Sequence, residues 1–347
     1  MQYSTLGTTD IKVSKICLGT MTFGNQNTEK EGHEQLDYAL DNGINFIDTA
    51  EMYAVPASKE TQGKTEEIIG TWLKKRSDRD KIILATKVTG PSPTMAKYIR
   101  EPLQFDKASI HAAIDGSLKR LQADYVDLYQ LHWPERPVNL FGIRNYPAGM
   151  ESKWEDNFLD VLQTLDGLIK AGKIRHFGIS NETSWGAMRF LHLAEMHNLP
   201  RPMSIQNPYS LLNRTFEIGL SEVAMREKVG LLAYSPLGFG VLTGKYHVET
   251  PPADGRVTIY PNYARYSSPQ SMDATSQYMA IAKKYGISVT HLALAYVNTR
   301  PFLTANIIGA TKMSQLKENI DSINIDLPRE ALKEIEAVHA AIPNSAP

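Results

Sequence analysis

An alternation along the chain constrains its fold most. Eight short β-rich runs are separated by longer stretches, most of them of helical pattern. The runs are KICLG (15–19), INFID (44–48), IILATK (82–87), VDLYQLH (126–132), IRHFGIS (174–180), MSIQ (203–206), LLAYS (231–235) and ANIIG (305–309). Segments 29–43, 65–76, 106–122, 157–173, 184–198 and 215–229 carry apolar residues at i, i+3 and i+4, the spacing of an amphipathic helix. Asp106 and Ser184 read as N-caps, and Gly43 and Gly172 as helix stops. Repeated strand–helix steps imply parallel strands joined by crossover helices. Eight such steps predict an α/β fold, the (β/α)8 TIM barrel, whose usual size of about 250 residues grows with inserted loops. A doubly wound open sheet is the alternative. No linker interrupts residues 1–347, so a single domain is expected, with a β-hairpin in the first dozen residues. Segments 88–106, 133–156 and 238–270 are too long for plain connections. Each follows a strand, which in a barrel puts it on the C-terminal face, where such enzymes keep their sites.

Composition narrows the partners. Hydrophobic residues make up 42% of the 347 and charged residues 22%, enough for both a core and a soluble surface. The formal net charge is −1 and no basic block occurs, which argues against nucleic acid as a partner. The most apolar later stretch, 230–244, is broken by Pro236 and several glycines and is too short for a good membrane span. Cys17 is the one cysteine, and the N-terminus has no apolar signal-like region. These features lead us to expect a reducing, cytoplasmic setting.

The early strand ends carry the chemistry. The second run ends on Asp48, the third on Lys87 and the fourth on His132, with Tyr53 five residues beyond Asp48. A barrel gathers these ends around one mouth. An apolar strand ending on a carboxylate needs a partner for it, because unpaired burial is costly. Lys87 can be that partner, and Asp48 in turn keeps the lysine charged. A cation beside Tyr53 is expected to lower a phenol pKa that is otherwise about 10. His132 can donate a hydrogen bond to a carbonyl oxygen. Taken alone, Asp48 and Lys87 are equally a barrel-mouth salt bridge, and His132 alone a structural histidine. No second strand-end histidine is present to build a metal site.

The chain resembles the aldo-keto reductase superfamily, in a bacterial branch near the potassium-channel β-subunits. The resemblance is carried by GTMTFG (19–24), FIDTAEMY (46–53), ATK (85–87), LHWP (131–134), GISN (178–181), IQNPYS (205–210), AYSPLGFGVLTGKY (233–246) and IIGATKMSQLKEN (307–319). It implies reversible reduction of a small-molecule carbonyl with NADP(H), and a catalytic tetrad of Asp48, Tyr53, Lys87 and His132. By the same resemblance Ser180, Asn181 and Gln206 hold the nicotinamide carboxamide, and Tyr234 stacks on the ring. Gly19, Thr20 and Met21 join Asp48 beside the cofactor. The segment Ser235, Pro236, Leu237, Gly238, Phe239, Gly240, Val241, Leu242, Thr243 and Gly244 covers the pyrophosphate. Lys245 and Arg256 grip the 2′-phosphate, and Gly309, Thr311, Gln315, Glu318 and Asn319 line the adenine side. Gly309 and Gln315 stand where much of the family has basic residues, which places more of the NADP preference on Lys245. Phe23, Met52, Trp133 and residues 141–146 are the expected walls of an apolar substrate cleft. Two roles follow: a carbonyl reductase, or a nucleotide-responsive regulatory protein in which turnover is incidental.

Overall fold

A computed structural model describes residues 1–91, 96–146, 149 and 154–347, with residues 262–264 as backbone only. Parts of the first two long segments therefore lie outside the described residues. Strands β1 (Tyr3–Thr5) and β2 (Lys12–Ser14) form an antiparallel hairpin. The barrel strands are β3 (Ile16–Gly19), β4 (Phe46–Asp48), β5 (Ile83–Val88), β6 (Val126–Leu131), β7 (Ile174–Ser180), β8 (Ile205–Pro208), β9 (Leu231–Tyr234) and β10 (Leu303–Ile308). They close in sequence order, β10 pairing with both β3 and β9, and every barrel pair is parallel. This is the expected TIM barrel.

Side chains alternate across each strand, and this places the site. On β5, Leu84 and Val88 pack outward against the helices, while Ile83 and Ala85 face inward. Inward residues Cys17, Phe46, Ile83, Ala85, Leu128, Leu232, Ala305 and Ile307 meet Leu6, Ile11 and Val13 of the hairpin segment, which plugs one end of the barrel. Counting on by two from Phe46, Ala85 and Leu128 reaches Asp48, Lys87 and Gln130 at the other end. The apolar plug thus sits under a polar layer.

Local chemistry explains the helix ends. Asp106 caps helix Lys107–Leu121 by accepting from Ser109 N at 2.6 Å. Gly43 and Gly172 take φ of 82° and 72°, the left-handed conformation in which a helix stops. Ser184 is not the N-cap it resembles. It is the first residue of helix Ser184–Met196, and Thr183, one position earlier, accepts from Gly186 N. The expected helix at 215–229 is broken as well. A 3-10 turn, Thr215–Glu217, gives way at Gly219 (φ 94°) to helix Leu220–Glu227. Among the described residues no helix is long and apolar enough to cross a membrane.

Candidate active site

Asp48, Lys87 and His132 come together at one mouth, and Tyr53 leans over them. Asp48 ends β4, Lys87 is one residue short of the end of β5, and His132 follows β6 directly. Asp48 and Lys87 are 3% and 0% exposed. Lys87 Nζ donates to Asp48 Oδ2 at 2.6 Å and to Thr49 O at 2.7 Å, and lies 3.4 Å from the Tyr53 hydroxyl. The His132 ring meets the Tyr53 ring edge-on, centroids 5.8 Å apart. Among the described residues His132 Nδ1 has no hydrogen-bond partner.

The electrostatics follow from burial and from one close pair. Burial pulls the Lys87 ammonium downward, but Asp48 and then Tyr53 outweigh it and hold it above the ordinary lysine value. Burial, aided by the Lys87 charge, keeps His132 well below the usual histidine range, so it is neutral near pH 7. Tyr53 corrects the sequence-based expectation. Burial pushes its phenol above the ordinary value, and the opposing pull of Lys87 does not reverse this. The lysine charge is committed to the nearer carboxylate.

The residues expected on the nicotinamide side are also gathered. Ser180 Oγ donates to Gln206 O at 2.8 Å. Asn181 turns off β7 with φ 53°, a left-handed position that asparagine tolerates. Its Nδ2 donates to His132 O at 2.9 Å, and its Oδ1 accepts from the Tyr234 hydroxyl at 2.6 Å. Gln206 Nε2 donates to Asp48 Oδ1 at 2.9 Å. Gly19 pairs with Asp48, and Thr20 Oγ1 donates to Asp48 O at 2.9 Å. Met21 Sδ is 4.0 Å from Arg256 Nη1.

The segment after Tyr234 folds as tight turns. Ser235 O accepts from Gly238 N, Leu237 O from Gly240 N, and Gly240 O from Thr243 Oγ1. Pro236 is the second residue of the first turn, and Val241 and Leu242 anchor the segment in the core. Gly240 has φ 90°, and a Cβ there would stand 2.9 Å from Lys245 Cε, so glycine lets the lysine lie along the turn. Gly244 (φ 77°) ends the run. Arg256 stacks over Phe239 at 5.1 Å. Among the described residues the Lys245 ammonium forms no ion pair. Burial, then repulsion from Arg256, lowers its pKa, with Lys312 adding to the same field. On the far side Gln315 Oε1 accepts from Thr311 N, Asn319 Nδ2 donates to Gly309 O, and Glu318 accepts from Ser288 Oγ. A glycine turn beside concentrated positive charge fits a phosphate-bearing cofactor.

The expected substrate side is apolar. Met52 and Trp133 pack together with Tyr53 and Ile99, and the Trp133 ring meets Phe141 at 5.8 Å. Phe23, expected as a wall, instead lies fully buried in the outer core, against Gly32.

Sequence reasoning missed three features. Gln130 is fully buried and donates to Asp48 Oδ1 at 3.0 Å. Its signal was parity, since 128, 130 and 132 share a face of one strand. Glu51, two residues before Tyr53, accepts from Thr89 N at 2.6 Å and from Arg100 through two bonds of 2.9 Å, tying the Tyr53 loop to the segment after β5. Lys312 pairs with Asp254 at 2.7 Å, and this contact between distant segments has no sequence signal.

Comparison with known proteins agrees with the geometry. Residues 15–340 match the model of the Aldo/keto reductase family. The chain is 50% identical to the protein Tas of Escherichia coli (strain K12) over 352 aligned positions, covering all of both chains. It is 32% identical to the aldo-keto reductase YhdN of Bacillus subtilis (strain 168), over 97% of this chain and 93% of that one. A probable voltage-gated potassium channel subunit beta of Oryza sativa subsp. japonica is 30% identical over 97% and 96%. With barrel, strand-end constellation and full-length likeness in agreement, the chain belongs to the aldo/keto reductase family of oxidoreductases.

Proposed function

We propose that this protein is an NADP(H)-dependent reductase of aldehydes or ketones, with Tyr53 as general acid. The observation that carries this reading is the Lys87 ammonium, held by Asp48 at 2.6 Å and standing 3.4 Å from the Tyr53 phenol. When bound, the cofactor supplies hydride to the carbonyl carbon. Tyr53 then gives its proton to the oxygen. Its raised pKa is no obstacle, since an alkoxide is a far stronger base than tyrosinate. Lys87 stabilises the tyrosinate left behind, and Asp48 keeps Lys87 charged. Neutral His132 donates a hydrogen bond that orients the carbonyl. Ser180, Asn181 and Gln206 hold the carboxamide, Tyr234 faces the ring, and Lys245 with Arg256 favours the 2′-phosphate. Met52, Trp133 and Phe141 suit a substrate with a hydrophobic body.

Titration with NADPH and NADH, followed by a panel of aldehydes and ketones, tests the reading. Binding of neither cofactor would overturn it. Tight, slowly released cofactor with no turnover of any carbonyl would favour the nucleotide-responsive role, which the likeness to a channel subunit supports.

A further inference from the structure

We propose that Gln130 is a positioning residue that, together with Asp48, fixes which end of the Gln206 carboxamide faces the nicotinamide. The inference rests on the reading that Gln206 meets the cofactor's carboxamide.

The argument is one of hydrogen-bond polarity. Gln130 sits on the inner face of β6, where Leu128 below it belongs to the apolar plug. A buried carboxamide must find partners for both its ends. Gln130 Nε2 donates to Asp48 Oδ1 at 3.0 Å, and Gln130 Oε1 accepts from Gln206 Nε2 at 2.9 Å. Gln206 Nε2 also donates to Asp48 Oδ1 at 2.9 Å. An ionised carboxylate only accepts, so both glutamines must turn their NH2 groups toward Asp48. The two N–H bonds of Gln206 are thereby used, one on Asp48 and one on Gln130. Its Oε1 remains, and among the described residues no donor reaches it. Gln206 therefore offers a ligand an acceptor and no donor. Asp48 alone would hold only one of its N–H bonds. Gln130 engages the second and locks the amide.

The predicted ligand partner is an N–H of the nicotinamide carboxamide. An acetyl group in the same place has no N–H. It would leave Gln206 Oε1 unpaired in a buried site, and sites built around a hydrogen bond reject analogues that cannot make it.

The test is the ratio of Kd values for NADP+ and its 3-acetylpyridine analogue, measured by titration with no substrate present. The parent should bind NADP+ about tenfold more tightly or better, the equivalent of one lost hydrogen bond. Gln130→Met frees the second N–H of Gln206, and the ratio should fall toward one. Gln130→Glu, protonated where it meets Asp48, keeps both the donor to Asp48 and the acceptor for Gln206, and the ratio should stay near that of the parent even if both affinities drop. A purely structural role would move both ligands together in either variant. An unchanged ratio in Gln130→Met, or a parent that binds both cofactors equally, would overturn the inference while leaving the proposed function intact. A parent that binds neither would overturn both.

Discussion

Lys87 Nζ stands 2.6 Å from Asp48 and 3.4 Å from the Tyr53 hydroxyl, so its first commitment is to the carboxylate. The phenol is correspondingly protonated in the resting site, with burial holding it above its ordinary pKa. Stabilisation by Lys87 gains strength only as negative charge develops on the phenol oxygen, which is when a transition state uses it.

Tyr53→Phe removes the proton donor and little else, since the hydroxyl's one described contact is with Lys87. Carbonyl reduction should fall by roughly 10²–10⁴-fold, the usual contribution of a general acid. The Kd for NADPH should stay near that of the parent. Single-turnover reduction and cofactor titration on the same samples measure both. Retained turnover would give the proton to another group.

Asp48→Asn should cost both stability and activity. Asp48 accepts from Lys87, Gln130 and Gln206, and the pair with Lys87 is buried. Removing one partner of a buried pair typically costs about 3–5 kcal/mol, because the other charge stays behind. Urea unfolding of parent and variant at pH 7 reads the loss. Equal midpoints and slopes would mean that the Lys87 charge is held by Thr49 O alone.

The barrel, and the meeting of Asp48, Lys87 and His132 at one mouth, were legible because both depend on strand order and strand ends. Strand boundaries moved by a residue or two: β4 begins at Phe46 instead of Ile44, and β8 at Ile205 instead of Met203. The cap of helix Ser184–Met196 fell one residue early because Thr183 and Ser184 have equivalent side chains for the task. The acid strength of Tyr53 was misjudged because it is a contest between burial and one charge, and burial depends on the fold. Glu51 with Arg100 and Lys312 with Asp254 join segments that only the barrel brings together. Gln130 was within reach, since a lone carboxamide two residues before His132 on an apolar strand faces the same way.

Stability should fall below neutral pH, partly through His132. Burial and Lys87 keep the folded imidazole neutral well below its usual range. The unfolded chain takes up that proton near pH 6.5. The unfolded state therefore binds more protons on the acid side. The contribution is fully present above about pH 6.5 and is lost as pH falls, by up to about 1.4 kcal/mol per pH unit. His176, His247 and His339 are also lowered by burial and add to the parent's slope. His132→Asn isolates the one residue: its unfolding free energy should fall less steeply than the parent's between pH 6 and 5. Parallel slopes would show that the folded site accepts the proton as readily as the open chain.

Lys245→Ala should shrink the preference for NADPH over NADH. Lys245 lies along the Gly240 turn, and its pKa is lowered first by burial and then by repulsion from Arg256. Lys312 is engaged by Asp254, and on the proposed reading Lys245 is the main contact to a 2′-phosphate, with Arg256 as a second. A charge-assisted hydrogen bond to that dianion contributes about 1.5–3 kcal/mol, or roughly ten- to a hundredfold in Kd. With Gly309 and Gln315 supplying no charge, the lower end is expected. NADPH binding should weaken about tenfold while NADH binding barely changes, because NADH has no group at that position. Both cofactors and both proteins must be compared at one ionic strength, since the contact is screened by salt. Equal losses for the two cofactors would move Lys245 to the pyrophosphate, and the discrimination would then rest on Arg256.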